Sequence, residues 1–313
     1  MSEIRQAVEE YVAVRRSLGF DLRAPAGALR HFAAFMETEG AAYITAELAL
    51  CWAMLPPRAQ PATWAGRLGV VRRFAAWRRA TDPRTEVPSQ ELLPHRYRRK
   101  SPYIYTDEEI QDIVGSAAHL PSARGLRART YATLFQLLAV SGMRVSEALA
   151  LDLRDVDLEQ GILTIRRTKF GKSRLLPVHP STTHALSRYR KERDRLVPGP
   201  ATPGFFVSER GTRITDCSAR YTFAKVCQEI GLRTRATGHG RGPRLHDLRH
   251  RFAARTLISW YRAGLEVERE LPKLATYLGH VHINETYWYL EAVPELLELA
   301  CERLLAEPEE VRS

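Results

Sequence analysis

Between Asp82 and Pro102 four prolines, Pro83, Pro88, Pro94 and Pro102, recur at intervals of five to eight residues. Each lacks a backbone N–H and fixes φ, so neither a continuous helix nor a central strand can run through the interval. It shows no helical or strand periodicity, and it carries the basic run Arg96-Tyr97-Arg98-Arg99-Lys100. We read 83–103 as a basic, proline-containing linker. It divides the chain into a helical domain over 1–82 and a second domain over 104–313. With 313 residues and 44% hydrophobic content, the chain is long enough to give each its own core.

The first block reads as helices. Ile4, Val8, Tyr11, Val12 and Leu18 fall three and four apart until Gly19 offers a stop, and a second run goes from Pro25 to Glu39 before Gly40. Thr45 to Met54 reads as a third, short helix. From Thr63 to Ala80, Trp64, Leu68, Val71, Phe74, Ala75 and Trp77 share one face, while Arg67, Arg72, Arg73, Arg78 and Arg79 lie largely elsewhere. The expectation is a compact bundle with an arginine-rich surface suited to phosphates.

The second block opens on Thr106-Asp107-Glu108-Glu109, a capping box, with helices expected over 107–118 and 127–140. Ser141-Gly142-Met143 then breaks the period, and Arg144 stands at the start of the next helix, where freed amides suit an anion. Ile162-Leu163-Thr164-Ile165 and Arg174-Leu175-Leu176-Pro177-Val178 alternate as strands around Lys169-Phe170-Gly171-Lys172. That pattern predicts a hairpin with an amine at its tip, Pro177 marking an edge strand. Helices are expected over 181–195 and 217–230, and Gly238 to Pro243 reads as plain loop. The predicted fold is mainly α with a small antiparallel β-sheet.

Charge and cysteines bound the function class. Lys and Arg number 47 against 36 Asp and Glu, a formal charge of +11, which makes a polyanionic partner plausible. The excess sits in residues 1–290, because 291–313 hold seven acidic and two basic side chains. Cys51, Cys217, Cys227 and Cys301 show neither C-x-x-C spacing nor a disulfide framework, so no disulfide is expected. The N-terminal stretch mixes charges with apolar residues, so neither a signal peptide nor a membrane partner is expected, and the compartment is taken as cytoplasmic.

Arg144, Lys169, His246 with Arg249, His280 and Tyr289 follow one another along the chain as cations, proton carriers and a hydroxyl that folding could gather around one phosphate. Such a set suits phosphoryl transfer with neither a metal ion nor another cofactor supplied. His246 and His250 do have the spacing of a zinc helix, but Asp247 stands where that motif needs Glu, and no third ligand has a clear spacing. Lys172 competes with Lys169, and Tyr287 with Tyr289.

The segments SGMRVSEAL, TKFGKSRLLPV, HDLRHRFA and LGHVHINETYWY, in this order, resemble the tyrosine recombinase, or phage integrase, family across 104–290. Residues 1–100 look more loosely like that family's helical core-binding domain, ahead of an integrase-type catalytic domain. The resemblance implies that Arg144 and Arg249 clamp the phosphate, that Lys169 is the hairpin lysine, and that His246 and His280 fill the two histidine positions. Tyr289 is then the nucleophile of a 3′-phosphotyrosyl intermediate. It also implies site-specific recombination of double-stranded DNA by a homo-oligomer, usually a tetramer, with related recombinases or accessory proteins as further partners and the nucleoid as the place of action. The setting, whether integration, transposition of a mobile element or chromosome resolution, stays open. A strand-relaxing type IB topoisomerase and a noncatalytic DNA-binding protein of the same fold are the alternatives. His282 beside His280 and a longer stretch from Trp260 to Lys273 depart from the family pattern. The stripe Leu297, Ala300, Cys301 and Leu304 is expected to dock either on a neighbouring subunit or on its own domain.

Overall fold

The computed structural model describes residues 2–93, 101–166, 173–234, 242–280 and 282–306. The chain forms two compact units, Met1–Lys100 and Ser101–Ser313. In the first, Ser2 and Thr45 place hydroxyls on the free N–H groups of Arg5 and Leu48, opening α1 (Glu3–Ser17) and α3 (Ala46–Met54). Between them lies α2 (Arg23–Thr38), and Pro61 starts α4 (Pro61–Arg78).

These helices bury one apolar face each. Val8, Tyr11, Leu29, Phe32, Trp52, Val71 and Phe74 form the shared core, with Phe32 and Trp52 edge to face at 5.3 Å. The arginine face of α4 is only partly a surface. Arg67 turns inward, donating to the Trp52 and Ala53 carbonyls at the end of α3 at 2.8 and 3.1 Å and lying 3.8 Å above the Trp52 ring. Arg78 pairs with Glu3. Past α4 the chain stays on the bundle: the Glu86 N–H donates to the Ile44 carbonyl, its carboxylate receives the Ala46 N–H, and Val87 and Leu93 pack on the core. The first ten or so residues of the segment read as linker are therefore held in place, and the basic run Arg96 to Lys100 lies outside the described residues.

The second unit begins at α5 (Asp107–Ala118), where Thr106 and Glu109 form the expected reciprocal cap. α6 (Leu126–Ser141) runs through the core, and the six-residue α7 (Val145–Ala150) follows it. The sheet is antiparallel in the order β1 (Val156–Asp157), β2 (Ile162–Ile165), β3 (Arg174–Pro177), with Ile165 opposite Arg174. β1 has no counterpart in the sequence reading, since two residues are too few to display alternation. The turn carrying Lys169 and Lys172 lies outside the described residues. After the sheet come α8 (Pro180–Leu196), α9 (Asp216–Glu229), α10 (Asp247–Arg262), α11 (Val267–Leu278), α12 (Asn284–Ala292) and α13 (Pro294–Ala306).

Three details of this last part position the site. Arg251 reaches from α10 to the Tyr105 carbonyl at 2.9 Å and to Asp107, pinning the start of α10 against the start of α5. The stretch from Trp260 to Lys273, read as added length, is the end of α10, a turn through Gly264 at φ +69° and the start of α11. α13 packs on its own domain, but through Leu296 and Leu299 rather than the anticipated stripe: Leu297 and Cys301 are exposed. The helix enters directly after Val293, which is itself buried, so the face one residue earlier meets α10. Among the described residues no helix is long and apolar enough to cross a membrane.

Truncating Phe32, wholly buried against Trp52, should destabilise the first unit by about 3–5 kcal/mol. Denaturant unfolding of Phe32→Ala, followed by far-UV circular dichroism, should show one transition shifted to lower denaturant and the transition of the second unit unmoved.

Candidate active site

The last turn of a helix leaves carbonyls without intrahelical partners. At the end of α11 three such carbonyls in a row each receive an arginine. Arg174 Nε donates to Tyr277 at 2.8 Å, Arg249 Nη2 to Leu278 at 2.8 Å, and Arg144 Nη2 to Gly279 at 3.1 Å. The negative end of the helix dipole thus faces three guanidiniums that would otherwise repel one another. Arg249 also donates through Nη1 to the Gly142 carbonyl, at the end of α6, at 2.9 Å. Two helix ends converge on this one side chain, which is 3% exposed.

Both ends close on a left-handed glycine, and each glycine is required by what lies beside it. A Cβ on Gly142, at φ +59°, would collide with the Phe252 ring of α10, and one on Gly279, at φ +70°, would stand 2.7 Å from Arg174 Nη1.

Glu147 supplies the counter-charge. Its buried carboxylate receives the Arg144 backbone N–H and Nη1, both at 2.9 Å, and a two-pronged contact from Arg174 at 3.0 and 2.9 Å. Burial alone would raise this carboxyl, but the bonds from Arg174 and Arg144 outweigh it and hold it below the ordinary range. Arg144 caps α7 in position, as its sequence suggested, yet its guanidinium points to Glu147 and Gly279 rather than past the amides of α7.

The histidines and the tyrosine close the site. Gly279 leads into His280, whose Nδ1 lies 2.8 Å from the buried Thr286 hydroxyl at the start of α12. The His280 ring lies nearly parallel to that of Tyr289, centroids 6.3 Å apart. Tyr289 is 2% exposed, within the core shared with Leu257 and Leu296, and its hydroxyl is 3.1 Å from His250 Nδ1. His250 meets His246 edge to face at 4.8 Å. Burial, then the charges of Arg249, Arg244 and Arg144, lower His246 to about 4, so it is neutral at neutral pH. Burial followed by Arg144 lowers Arg249 to about 10, which leaves it cationic. Tyr289 and Glu147 also act on that Arg249 charge, so these groups share one electrostatic environment.

Arg144, His246, Arg249, His280 and Tyr289 are therefore brought together, and Lys169 lies outside the described residues. Tyr287 is 39% exposed, whereas Tyr289 is the tyrosine turned toward the histidines. Sequence reasoning passed over Glu147, Arg174 and the contact of His250 with Tyr289. A signal for Glu147 was present, since it stands three residues after Arg144 in a helix. For Arg174 and His250 the partners are distant in sequence, and periodicity carries no such information.

Replacing Gly279 with Ala should cost about 1–3 kcal/mol from the left-handed backbone alone, more where Arg174 is displaced, and should appear as a lowered melting temperature. A second expectation concerns acid. His246 titrates lower folded, at about 4, than its ordinary 6.5, so between these values the unfolded chain binds the proton that the folded one refuses. Its contribution to stability therefore falls as pH drops from 6.5 toward 4, by up to about 1.4 kcal/mol per pH unit. Urea melts across that window should lose this component of the slope in His246→Gln.

The family model described as the phage integrase family matches residues 104–295. A protein of Sinorhizobium fredii designated an integrase/recombinase, y4rB, is 49% identical over 308 residues, covering 97% of this chain and 98% of that one. XerD of Caulobacter vibrioides, named a tyrosine recombinase, is 31% identical over 241 residues, covering 76% and 73%. Among solved structures, the Tn1549 transposon integrase in complex with transposon right-end DNA has a TM-score of 0.66 at 16% identity, covering 96% of this chain and 99% of that one. XerH bound to palindromic difH, a post-cleavage complex, has a TM-score of 0.64 at 19% identity, covering 90% and 78%. At these identities the structural likeness is one of fold. The domain match and the sequence relatives make the chain a member of the phage integrase family, the tyrosine recombinases.

Proposed function

We propose that this protein is a site-specific DNA recombinase in which Tyr289 attacks a backbone phosphate and keeps the cut strand as a 3′-phosphotyrosyl ester. The observation that carries this reading is the convergence of Arg144, Arg249, His246, His280 and Tyr289 at the end of α11, within the segment matched to the family. Arg144 and Arg249 donate to the nonbridging oxygens and offset the charge that grows as the phosphorus becomes five-coordinate. Lys169 gives a proton to the departing 5′ oxygen. The ester conserves the energy of the broken bond, so a 5′-hydroxyl from a second duplex can attack it without ATP.

Strand exchange requires two synapsed sites and hence an assembly, which we take to be a tetramer on double-stranded DNA in the cytoplasm. The first unit acts as the core-binding domain, with Arg72 and Arg73 of α4 and Arg79 at its end left for phosphates once Arg67 and Arg78 are engaged internally. The basic linker tracks the duplex between the two grips. With Tyr289 only 2% exposed, DNA engagement has to uncover the phenol before it can reach a phosphate.

A nicked suicide substrate, from which the short leaving strand diffuses away, should trap a protein–DNA adduct that survives SDS. Tyr289→Phe should abolish the adduct while retaining DNA binding in a gel shift, and EDTA should leave cleavage intact. Exchange of labelled DNA between two sites, rather than relaxation of supercoils alone, should accompany it. Undiminished adducts in Tyr289→Phe would overturn the assignment and move the nucleophile to Tyr287 or another residue.

A further inference from the structure

We propose that His250, rather than His246 or His280, takes the proton from Tyr289 as the phenol attacks, and returns it on rejoining. The inference rests on the function proposed above and adds a catalytic residue to it. Its Nδ1 lies 3.1 Å from the Tyr289 hydroxyl, within the reach that proton transfer requires. The rings stand 5.5 Å apart at 58°, so the imidazole presents an edge to the phenol. His280 presents a different aspect: its ring lies at 18° to the phenol and its Nδ1 is engaged with Thr286. His246 meets the His250 ring edge to face.

The surroundings keep His250 in place. It is 8% exposed and wedged between His246 on its own helix and Trp288 on α12, whose ring is 5.3 Å away. Titratable groups set against it include His246 on its own helix and Tyr289 on α12, with His280 stacked on the Tyr289 ring. A base must be neutral to accept a proton, and a crowded cationic site resists a second charge. His246 is accordingly neutral near pH 7, so it adds no positive charge beside His250.

The step balances as follows. The Tyr289 O–H bond breaks while its oxygen bonds to phosphorus, and the proton passes to Nδ1 of a His250 that begins with its hydrogen on Nε2. The bond from phosphorus to the 5′ oxygen breaks, and that oxygen takes a proton from Lys169. In rejoining, the incoming 5′-hydroxyl surrenders its proton to the Lys169 amine as its oxygen bonds to phosphorus, the phosphotyrosyl bond breaks, and the phenolate recovers its proton from His250.

The test uses two variants of the full chain: His250→Gln, polar but unable to accept a proton at neutral pH, and His250→Phe, which retains a flat ring against Trp288. Adduct formation on a nicked suicide substrate is timed from pH 6 to 9, with melting temperature and gel shift confirming a folded, DNA-binding protein. Both variants should form adduct about 10²–10⁴-fold more slowly than the parent at pH 7. Their deficit should shrink as pH approaches a phenol's ordinary value near about 10, because solvent then does the deprotonation. A 5′-bridging phosphorothiolate, whose thiolate leaves without a proton, should restore Lys169→Ala and not the His250 variants. The inference is overturned if either folded variant stays within threefold of the parent across the range, or if the phosphorothiolate restores it. Absence of adduct in the parent would instead sink the underlying reading.

Discussion

The end of α11 is the constraint on which the rest of the site depends. A helix terminus must find donors for its last carbonyls, and here the donors are three arginines from β3, α7 and α10. One structural need meets another, because three guanidiniums brought close together require fixed negative partial charge nearby. The same device recurs in the first unit, where Arg67 closes the end of α3, but there it gathers a single arginine and serves packing alone. What separates the two is convergence: a second helix end, at Gly142, points at Arg249 from the other side.

Glu147 makes the gathering energetically tolerable. A buried carboxylate is costly unless its lone pairs are filled, and this one is filled by four donors from Arg144 and Arg174. Its charge is divided unequally in consequence. Arg174 directs all three of its guanidinium nitrogens at Glu147 and Tyr277, so it serves as a support, whereas Arg144, with 27% of its side chain exposed, remains open toward solvent. In the proposed chemistry Arg144 meets the phosphate and Arg174 sets where it stands.

Much of this was legible in the sequence because motifs are local. The capping box at Thr106, the break at Gly142, the edge strand ending at Pro177 and the order Arg144, His246, Arg249, His280, Tyr289 each lie within short segments whose residue types carry the chemistry. The rest depends on contacts between segments. Arg174 meets Glu147 across 27 residues and Tyr277 across 103, and neither pairing leaves a trace in the spacing of either segment. The face that α13 turns inward was hidden for a related reason: a helical wheel gives the apolar faces but not which of them packs beside a buried Val293, and here Leu296 and Leu299 do so while Leu297 and Cys301 stay exposed.

Tyr289 joins two roles that pull in opposite directions. As a core residue it lies with Leu257, Leu274 and Leu296, and this packing defines its position to within the contact with His250. As the proposed nucleophile it would have to meet a phosphate that cannot enter that core. Global unfolding would destroy the arginine cradle along with the obstacle, so productive opening has to be local. The arginine cradle is fixed by the bonds of Arg144, Arg174 and Arg249 to Glu147 and to the carbonyls of Gly142, Tyr277, Leu278 and Gly279, none of which lies on α12. α12 is tied to the site by His250 to Tyr289 as well as by His280 to Thr286, so in the proposed chemistry the opening uncovers the phenol while His250 stays within its reach.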